Sequence, residues 1–196
     1  KYDLAIDFFE EALTIMKTVG NALRQLAYHI NLAEAHVHLG NYETAVNLVN
    51  SVNAQTPERW TYRPFAIYVL AEALLGLGNM DESLTVVQQG FALVAINNDP
   101  FLVGHLWRVL GLIAASFDQP LQSDPTDDTV YAAAACFARS LASFAEVKNE
   151  REQAIVLWSW GNHEIAKGEI EKGNSMQQKA RYIIERLNLP LLLCGL

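Results

Sequence analysis

Apolar residues recur every three or four positions along most of this 196-residue chain, which is the periodicity of an amphipathic α-helix. Three amphipathic segments end at a Gly followed by a polar residue, at Gly40, Gly78 and Gly168, and another amphipathic segment follows each turn. The pattern predicts helices over residues 2–18, 22–39, 42–53, from beyond Pro57 to 77, and over 80–96, 100–116, 129–147, 150–167 and 169–187. A helix–turn–helix unit with a period of about 40 residues predicts an α-solenoid.

The starts of two predicted helices carry recognisable capping residues. Asn21 precedes the second helix as an N-cap. Asp99 precedes Pro100, which stands at the first helical position, where its missing N–H costs nothing.

A finer motif repeats inside these helices. The first helix of a unit, which we call helix A, has Trp107, Leu110 and Gly111 in its clearest copy. The second helix of a unit, which we call helix B, carries a small residue, then a bulky residue four positions later, then a small residue three positions after that. The helix B triplets are Ala5/Phe9/Ala12, Ala45/Val49/Val52, Ser83/Val87/Gly90, Ala133/Phe137/Ser140 and Gly173/Gln177/Ala180. Small residues allow helix axes to approach to about 8–10 Å. In these motifs the chain resembles tetratricopeptide repeats over nearly its whole length.

The resemblance implies an all-α fold, an α-α superhelix or TPR-like solenoid of antiparallel helix pairs. We expect a single domain over residues 1–196, with a half repeat at 1–20, repeats at about 21–56, 57–98, 99–149 and 150–188, and a tail at 189–196. The long period resembles arrays C-terminal to STAND-type ATPase or cyclase domains of bacterial signalling proteins. Because the chain begins at a helix B, it looks like a piece of a longer protein.

Composition narrows the classes of partner. The formal net charge of −8 argues against nucleic-acid binding, which needs a basic surface. No apolar run approaches the roughly 20 residues that span a bilayer, and no signal peptide is apparent, so no membrane partner is expected. Cys136 and Cys194 are far apart and suggest reduced thiols, which predicts a cytoplasmic protein.

The sequence contains no catalytic constellation, and we predict no enzymatic activity, cofactor or metal site. His163 and Glu164 begin a zinc-protease-like string, but Lys167 occupies the position of the second His. His29, His36 and His38 do not share one helix face, which favours partly buried histidines with hydrogen-bond partners within the protein over a metal site. Residues 118–128 carry four aspartates without the spacing of a calcium loop, which predicts an irregular, flexible, solvated loop.

The resemblance also implies a concave groove lined by helix A. The groove positions are Ile30, Asn31, Glu34, His38, Phe65, Tyr68, Glu72, His105, Arg108, Leu112, Trp158, Asn162 and Ile165. We predict that a protein or peptide partner contacts Asn31, Glu34, His38, Tyr68, Glu72, His105, Arg108, Trp158 and Asn162. An acidic C-terminal peptide is disfavoured because Glu34, Glu72 and Leu112 occupy positions where amides or cations are needed. The alternatives are solvated polar residues, or Tyr68 and Trp158 packed between A helices, in an architectural spacer without a groove ligand.

Three further expectations concern packing. Trp107 should lie between the two helices of its unit, against the Ala133/Phe137 face. The apolar stripe Ile6, Phe9 and Leu13 should be exposed at the N-terminal end, where a homodimer would form. The Leu-rich tail should fold back near Tyr182 and Ile183.

Overall fold

The computed structural model describes residues 2–57, 60–95 and 99–189, and within them it is almost entirely helical. The helices are α1 (Tyr2–Val19), α2 (Ala22–His38), α3 (Tyr42–Asn53), α4 (Arg63–Gly76), α5 (Met80–Val94), α6 (Pro100–Phe117), α7 (Ala133–Glu146), α8 (Glu150–Ala166) and α9 (Ile170–Arg186). Two short strands, β1 (Leu121–Gln122) and β2 (Val130–Tyr131), lie between α6 and α7. The predicted all-α fold is confirmed, and the helices follow the predicted order.

The chain divides into two compact units, Lys1–Gly90 and Phe91–Leu196. In the first unit α1 packs on α2, α2 on α3, and α3 on α4. In the second unit α6 packs on α7, α7 on α8, and α8 on α9. Helices adjacent in the chain are therefore adjacent in space within each unit, as in an array of helix hairpins. The assignment of all 196 residues to one domain stays a prediction.

Several helix ends share one turn geometry. Gly40 adopts φ +77° and Gly78 adopts φ +79°, a left-handed conformation that side chains disfavour. At the first of these turns the Asn41 N–H reaches back to the His36 carbonyl at 2.9 Å, which satisfies a carbonyl of the last helical turn. The predicted capping is also present, since the Asn21 side chain accepts from the Arg24 N–H at 3.1 Å. These turns reverse the chain at the positions that the sequence predicts.

Small residues lie where helices cross, as the repeat motif predicts. A Cβ atom placed on Gly111 of α6 would lie 3.0 Å from the Phe137 ring of α7. The Ser140 hydroxyl donates to the Gly104 carbonyl at 2.7 Å across the same crossing. In the first unit, the Ser83 hydroxyl donates to the Ala71 carbonyl at 2.8 Å. The small residues of the triplet thus bring helix B against the backbone of the preceding helix.

Trp107 is buried, with 8% of its surface exposed, as predicted. Its ring contacts are Phe91 at 4.7 Å and Tyr131 at 4.9 Å between centroids, and the Arg139 guanidinium lies over it. It is Gly111, one helical turn further along α6, that lies against Phe137. The predicted burial is confirmed, and the ring is enclosed by residues of α5, β2 and α7.

The prediction of an irregular loop at residues 118–128 is wrong in part. Leu121 pairs with Tyr131 and Gln122 with Val130 in a short antiparallel ladder, so the segment forms a hairpin. Leu121 is buried, and its burial anchors the hairpin to the second unit. Because residues 130–131 join the ladder, α7 begins at Ala133 and not at residue 129 as predicted.

Two turns at the tip of the hairpin are closed by aspartate side chains. Asp124 accepts hydrogen bonds from the backbone N–H and the hydroxyl of Thr126, at 2.8 and 2.7 Å. Asp127 accepts the same pair from Thr129, at 3.0 and 2.9 Å. These bonds lower the pKa of Asp124. The aspartates that the sequence assigns to a solvated loop therefore stabilise two local turns.

The predicted N-terminal stripe is also wrong. Leu13 is buried and Ile6 and Phe9 are half-buried; α1 packs against α2, with the Phe9 ring 6.3 Å from Tyr28. The exposed apolar residues of α1 are instead Leu4, Phe8, Ile15 and Val19. Helix α1 has two apolar flanks, and the sequence pattern alone does not indicate which of them faces α2. The predicted contact of the Leu-rich tail lies outside the described residues.

Candidate functional site

The predicted groove residues of the first unit meet at a hydrogen bond between two A helices. The Tyr68 hydroxyl of α4 donates to Oε1 of Glu34 on α2, with an oxygen–oxygen distance of 2.6 Å. A hydroxyl bound to a carboxylate at this distance is a charge-assisted hydrogen bond. Tyr68 is only 1% exposed, so its ring belongs to the packing between α2 and α4, and Glu34 is half-buried beside it. The pair fixes the spacing of the two helices.

Aromatic rings continue from Tyr68 to the surface at the start of α4. Phe65 meets Tyr68 edge-on at 4.8 Å, Tyr62 meets Phe65 at 5.8 Å, and Trp60 meets Tyr62 at 5.7 Å. Tyr62 is exposed, and Trp60 and Phe65 are half-buried. We call these four residues the aromatic row. Trp60 and Tyr62 were not among the predicted groove residues because they precede the helix, although the density of aromatic residues around Pro64 is a usable signal.

The remaining predicted residues of the first unit are half-buried. Asn31 and Glu72 belong to α2 and α4, and His38 lies at the end of α2, where its ring stacks on Tyr2 at 4.6 Å. Ile30, a groove position by register, is fully buried. The A helices of the first unit therefore carry two half-buried carboxylates, an amide and an imidazole, and one of the carboxylates, Glu34, is bonded to Tyr68 of the aromatic row.

In the second unit, two predicted groove residues are buried. His105 is 3% exposed and Arg108 is 8% exposed on α6. His105 lies edge-on between Phe101 at 4.7 Å and Phe144 at 5.0 Å. Its Nε2 atom is 4.0 Å from Oε2 of Glu152 on α8. Both residues therefore belong to helix packing, and a ligand would reach them only indirectly.

Glu152 is a buried carboxylate that the sequence interpretation missed. It accepts from the Arg151 guanidinium, and its backbone N–H donates to the Asn149 side chain at 3.2 Å. Asn149 and Glu152 stand at the N-cap and third positions of α8, which is the spacing of a capping box. That spacing is visible in the sequence and could have drawn attention to Glu152.

Trp158 and Asn162 face the last helix of the second unit. The Arg181 guanidinium lies over the Trp158 ring at 5.2 Å, and the Gln177 side chain donates to Asn162 Oδ1 at 2.7 Å. Trp158 is half-buried against a cluster of buried residues that includes Ile155 and Ile184, whereas Asn162 is exposed. The two residues lie one turn apart along the α8–α9 seam.

A cleft of about 450 Å³ lies in the second unit, lined by the ends of α6 and α8 and the starts of α7 and α9. Glu164 is buried there and receives hydrogen bonds from Lys172 at 2.9 Å and from the Trp160 indole at 2.7 Å. Burial opposes ionisation of Glu164, but these two bonds prevail and lower its pKa. At the neighbouring His163, burial disfavours the charged imidazolium and therefore lowers the pKa. The cleft therefore holds an ionised carboxylate already engaged by a cation.

The described residues contain no group of three or more His, Cys, Asp or Glu side chains placed to hold a metal ion. The three histidines of α2 have other contacts. His29 Nδ1 lies 2.8 Å from the Gln25 carbonyl, and His36 Nδ1 lies 3.4 Å from the Asn41 amide. These contacts agree with the expectation that the histidines are satisfied within the protein.

One helix within the described ranges, Pro100–Phe117, is long and apolar enough by composition to cross a bilayer. More than half of it, 56%, is buried within the protein. It carries Trp107, Gly111 and the buried polar residues His105 and Arg108. Such burial is the environment of a core helix.

Paired helices, left-handed turns and small residues at the crossings define the class of this fold, a TPR-like all-α solenoid. A family model described as tetratricopeptide repeat matches residues 26–50, which cover most of α2 and α3. No curated protein matches the chain. The matched model supports a tetratricopeptide repeat over residues 26–50.

Several solved structures share the fold. Aspartyl phosphate phosphatase F from Bacillus subtilis is 16% identical with a TM-score of 0.66, and the match covers 94% of this chain and 46% of that one. BtubC (BKLC) from P. vanneervenii is 14% identical with a TM-score of 0.63, over 95% of this chain and 74% of that one. The TPR-like repeats of a putative kinesin light chain from Podosopora anserina are 16% identical with a TM-score of 0.52, over 95% and 88%. This chain thus spans about half of the phosphatase.

Proposed function

We propose that this chain is a protein-interaction or regulatory scaffold module of a larger bacterial signalling protein in the cytoplasm. It binds a peptide or protein partner on the groove-side surface of its A helices, without catalysis. The observation that carries the proposal is the hydrogen bond between Tyr68 and Glu34, from which the aromatic row extends to the exposed ring of Tyr62.

This surface has the properties of a pre-organised binding site. The Tyr68–Glu34 bond and the edge-on contact with Phe65 hold the rings in place before any partner arrives. Rigid aromatic anchors lose little conformational entropy on binding, and Tyr and Trp are enriched among residues that dominate binding energy. Tyr62 and Trp60 supply the accessible ring surface, and Asn31 and Glu72 supply polar groups nearby on the A helices.

The second unit has fewer accessible residues among the predicted groove positions. Asn162 is exposed and Trp158 is half-buried, so these two residues are proposed to contact a partner directly. His105 and Arg108 are buried in α6 and are not proposed to contact the partner directly. The signalling context rests on the resemblance of the long repeat period to STAND-associated arrays.

The second candidate is an architectural spacer or a self-associating module without a groove ligand. The burial of Tyr68, His105 and Arg108 favours it, because these residues already have a structural use between helices. A spacer gives no ligand-induced thermal shift, and self-association gives a mass that rises with concentration. Both differ measurably from a module with a peptide ligand.

The test is selection of a random peptide library on the immobilised chain, followed by titration of the best peptide against purified variants. Tyr62→Ala and Trp60→Ala should each weaken binding about tenfold, as loss of an aromatic anchor does. Val147→Ala is the matched control, since Val147 is also exposed and apolar but lies in the turn after α7. Peptides that bind all variants equally would place their binding site away from the aromatic row. A library that yields no binder and no thermal shift would favour the spacer.

A further inference from the structure

The aromatic row ends in a short non-helical segment that holds two rings next to each other before α4. The backbone N–H of Trp60 donates to the Pro57 carbonyl at 3.0 Å, and that of Arg63 donates to the Trp60 carbonyl at 3.0 Å, so successive turns fix this part of the chain. The Trp60 and Tyr62 rings lie 5.7 Å apart between centroids, with 32° between their planes. Tyr62 is 42% exposed and Trp60 is half-buried. The segment therefore presents a pre-organised pair of ring surfaces.

Three hydrogen-bond donors belong to the same segment. The indole N–H of Trp60, the hydroxyl of Tyr62 and the guanidinium of Arg63 have no hydrogen-bond or carboxylate partner among the residues that the structure describes. Tyr68, at the buried end of the row, differs because its hydroxyl donates to Glu34. A ligand that supplies acceptors would therefore complete the accessible end of the row.

A proline-rich chain is a ligand whose backbone offers acceptors alone. Pro has no backbone N–H, and in the polyproline II conformation the carbonyls make no internal hydrogen bonds. Its apolar rings dock against aromatic side chains, and the conformation is largely formed before binding, so little entropy is lost. A partner α-helix fits the donors less well, because most of its carbonyls already accept bonds within the helix.

Charge restricts the rest of the ligand. Arg63 is half-buried, and a carboxylate on the ligand would form a charge-assisted hydrogen bond with its guanidinium. The first unit as a whole contains ten Asp and Glu residues against five Lys and Arg residues, so a ligand with many carboxylates would be repelled. One carboxylate beside the prolines meets both conditions.

We propose that the Trp60–Tyr62 end of the aromatic row binds a proline-rich segment in the polyproline II conformation, with one carboxylate that pairs with Arg63. The ligand class rests on the proposed function, because it concerns the same surface. Proline rings lie on the two aromatic rings, and peptide carbonyls accept from the indole N–H and the phenol hydroxyl. Such a ligand depends on the donors as well as on the rings, which distinguishes it from an apolar peptide in general.

The probe is a fluorescein-labelled oligoproline of about nine residues, which makes about three turns of polyproline II, followed by one Glu and a C-terminal amide. Its binding to the full chain is measured by fluorescence anisotropy. Trp60→Phe and Tyr62→Phe keep a ring and remove a donor, and each should weaken binding by about threefold to tenfold, as loss of one hydrogen bond does. Tyr182→Phe is the matched control, since Tyr182 is 64% exposed on α9, and it should bind like the unaltered chain.

A second probe with Gln in place of Glu isolates the charge pair. Arg63→Gln should weaken binding of the Glu probe several-fold and leave binding of the Gln probe unchanged. Equal losses for the two probes would overturn the pairing of the carboxylate with Arg63. A thermal melt establishes that each variant is folded, and Tyr62→Phe alone tests the donors if Trp60→Phe is not.

A Gly/Ser peptide of the same length with the same Glu should bind far more weakly than the oligoproline. Equal affinity of these two probes, or unchanged affinity after loss of the donors, overturns the polyproline ligand. If the oligoproline does not bind but a library peptide binds through Trp60 and Tyr62, the polyproline ligand is wrong and the proposed function stands. If no peptide of either kind binds, both are wrong.

Discussion

The guanidinium of Arg139 lies 5.0 Å from the centroid of the Trp107 ring and 4.7 Å from that of Tyr131. Its planar cation therefore contacts two aromatic rings that themselves meet at 4.9 Å. Cation–π contacts of this kind contribute about 0.5–2 kcal/mol, depending on desolvation. The cluster joins α6, β2 and α7, so the hairpin between α6 and α7 packs against these two helices.

Trp107→Ala should lower the free energy of unfolding by about 3–5 kcal/mol, because it removes a large buried ring and leaves a cavity. Urea denaturation followed by circular dichroism measures the change. Tyr182→Ala, at an exposed aromatic position, should change stability by less than about 0.5 kcal/mol. A loss under about 1 kcal/mol for Trp107→Ala would mean that the ring is not enclosed as described.

Leu121→Ala should cost about 2–3 kcal/mol, since Leu121 is 8% exposed and anchors the hairpin. Val130→Ala is the matched control, because Val130 lies in the paired strand but is 53% exposed, and it should be nearly neutral. The same urea titration applies to both variants. Equal, small effects at the two positions would favour the prediction of an irregular, solvated loop over an anchored hairpin.

Gly173→Ala should destabilise the second unit by about 1–3 kcal/mol through overpacking. An added Cβ would lie 2.5 Å from Ile165 and 2.6 Å from the Gly161 carbonyl, and the carbonyl belongs to the helix backbone and cannot rotate away. Asn174→Ala, at the exposed neighbouring position, should be neutral or slightly stabilising. Thermal unfolding distinguishes the two, and a stabilised Gly173→Ala variant would mean that α8 and α9 are further apart.

Cys136 should make stability fall at alkaline pH. Burial raises the pKa of its thiol from 9.0 to about 12, although the charge of Arg139 acts in the opposite direction. The unfolded chain loses this proton near pH 9 while the folded chain keeps it, so stability is fully present below pH 9 and declines between pH 9 and 12. The melting temperature of the unaltered chain should fall more steeply over this range than that of Cys136→Ala.

Chemical modification gives an independent measure of the same burial. In a Cys194→Ser background, Cys136 should resist alkylation by iodoacetamide at pH 8 in the folded chain and react at once in urea. Rapid modification without denaturant would contradict the packing of Cys136 against Gly111. Parallel slopes of melting temperature against pH would contradict the raised pKa.

Helix positions could be predicted from the sequence because each helix is long, amphipathic and bounded by a turn residue. The predicted start of the seventh helix, at residue 129, is too early because Val130 and Tyr131 pair with the strand Leu121–Gln122. Two-residue strands carry no periodicity that a sequence pattern can reveal. The four aspartates of residues 118–128 indicate turns, but they do not indicate the paired strands.

The candidate surface was harder to predict than the fold. Register identified Tyr68, His105 and Arg108 as groove positions, but it does not indicate how far a side chain is buried by the neighbouring helix. The exposed apolar residues of α1 were also predicted wrongly, because Phe8 and Phe9 both belong to apolar sides of this helix and the sequence does not indicate which side is covered. Only the position of α2 determines that Phe8 is exposed and Phe9 is partly covered.

The left-handed turn that forms at Gly40 and Gly78 recurs after α1, α6, α7, α8 and α9. In three of these later turns the left-handed residue is not Gly but Asp118, Lys148 or Asn188. A connector that depends on one backbone angle and on main-chain hydrogen bonds makes few demands on the side chains around it. A helix pair bounded by two such turns can therefore be duplicated, removed or exchanged without a redesigned junction. For protein engineering, the segment between Gly40 and Gly78 is a natural cassette for lengthening or shortening the array.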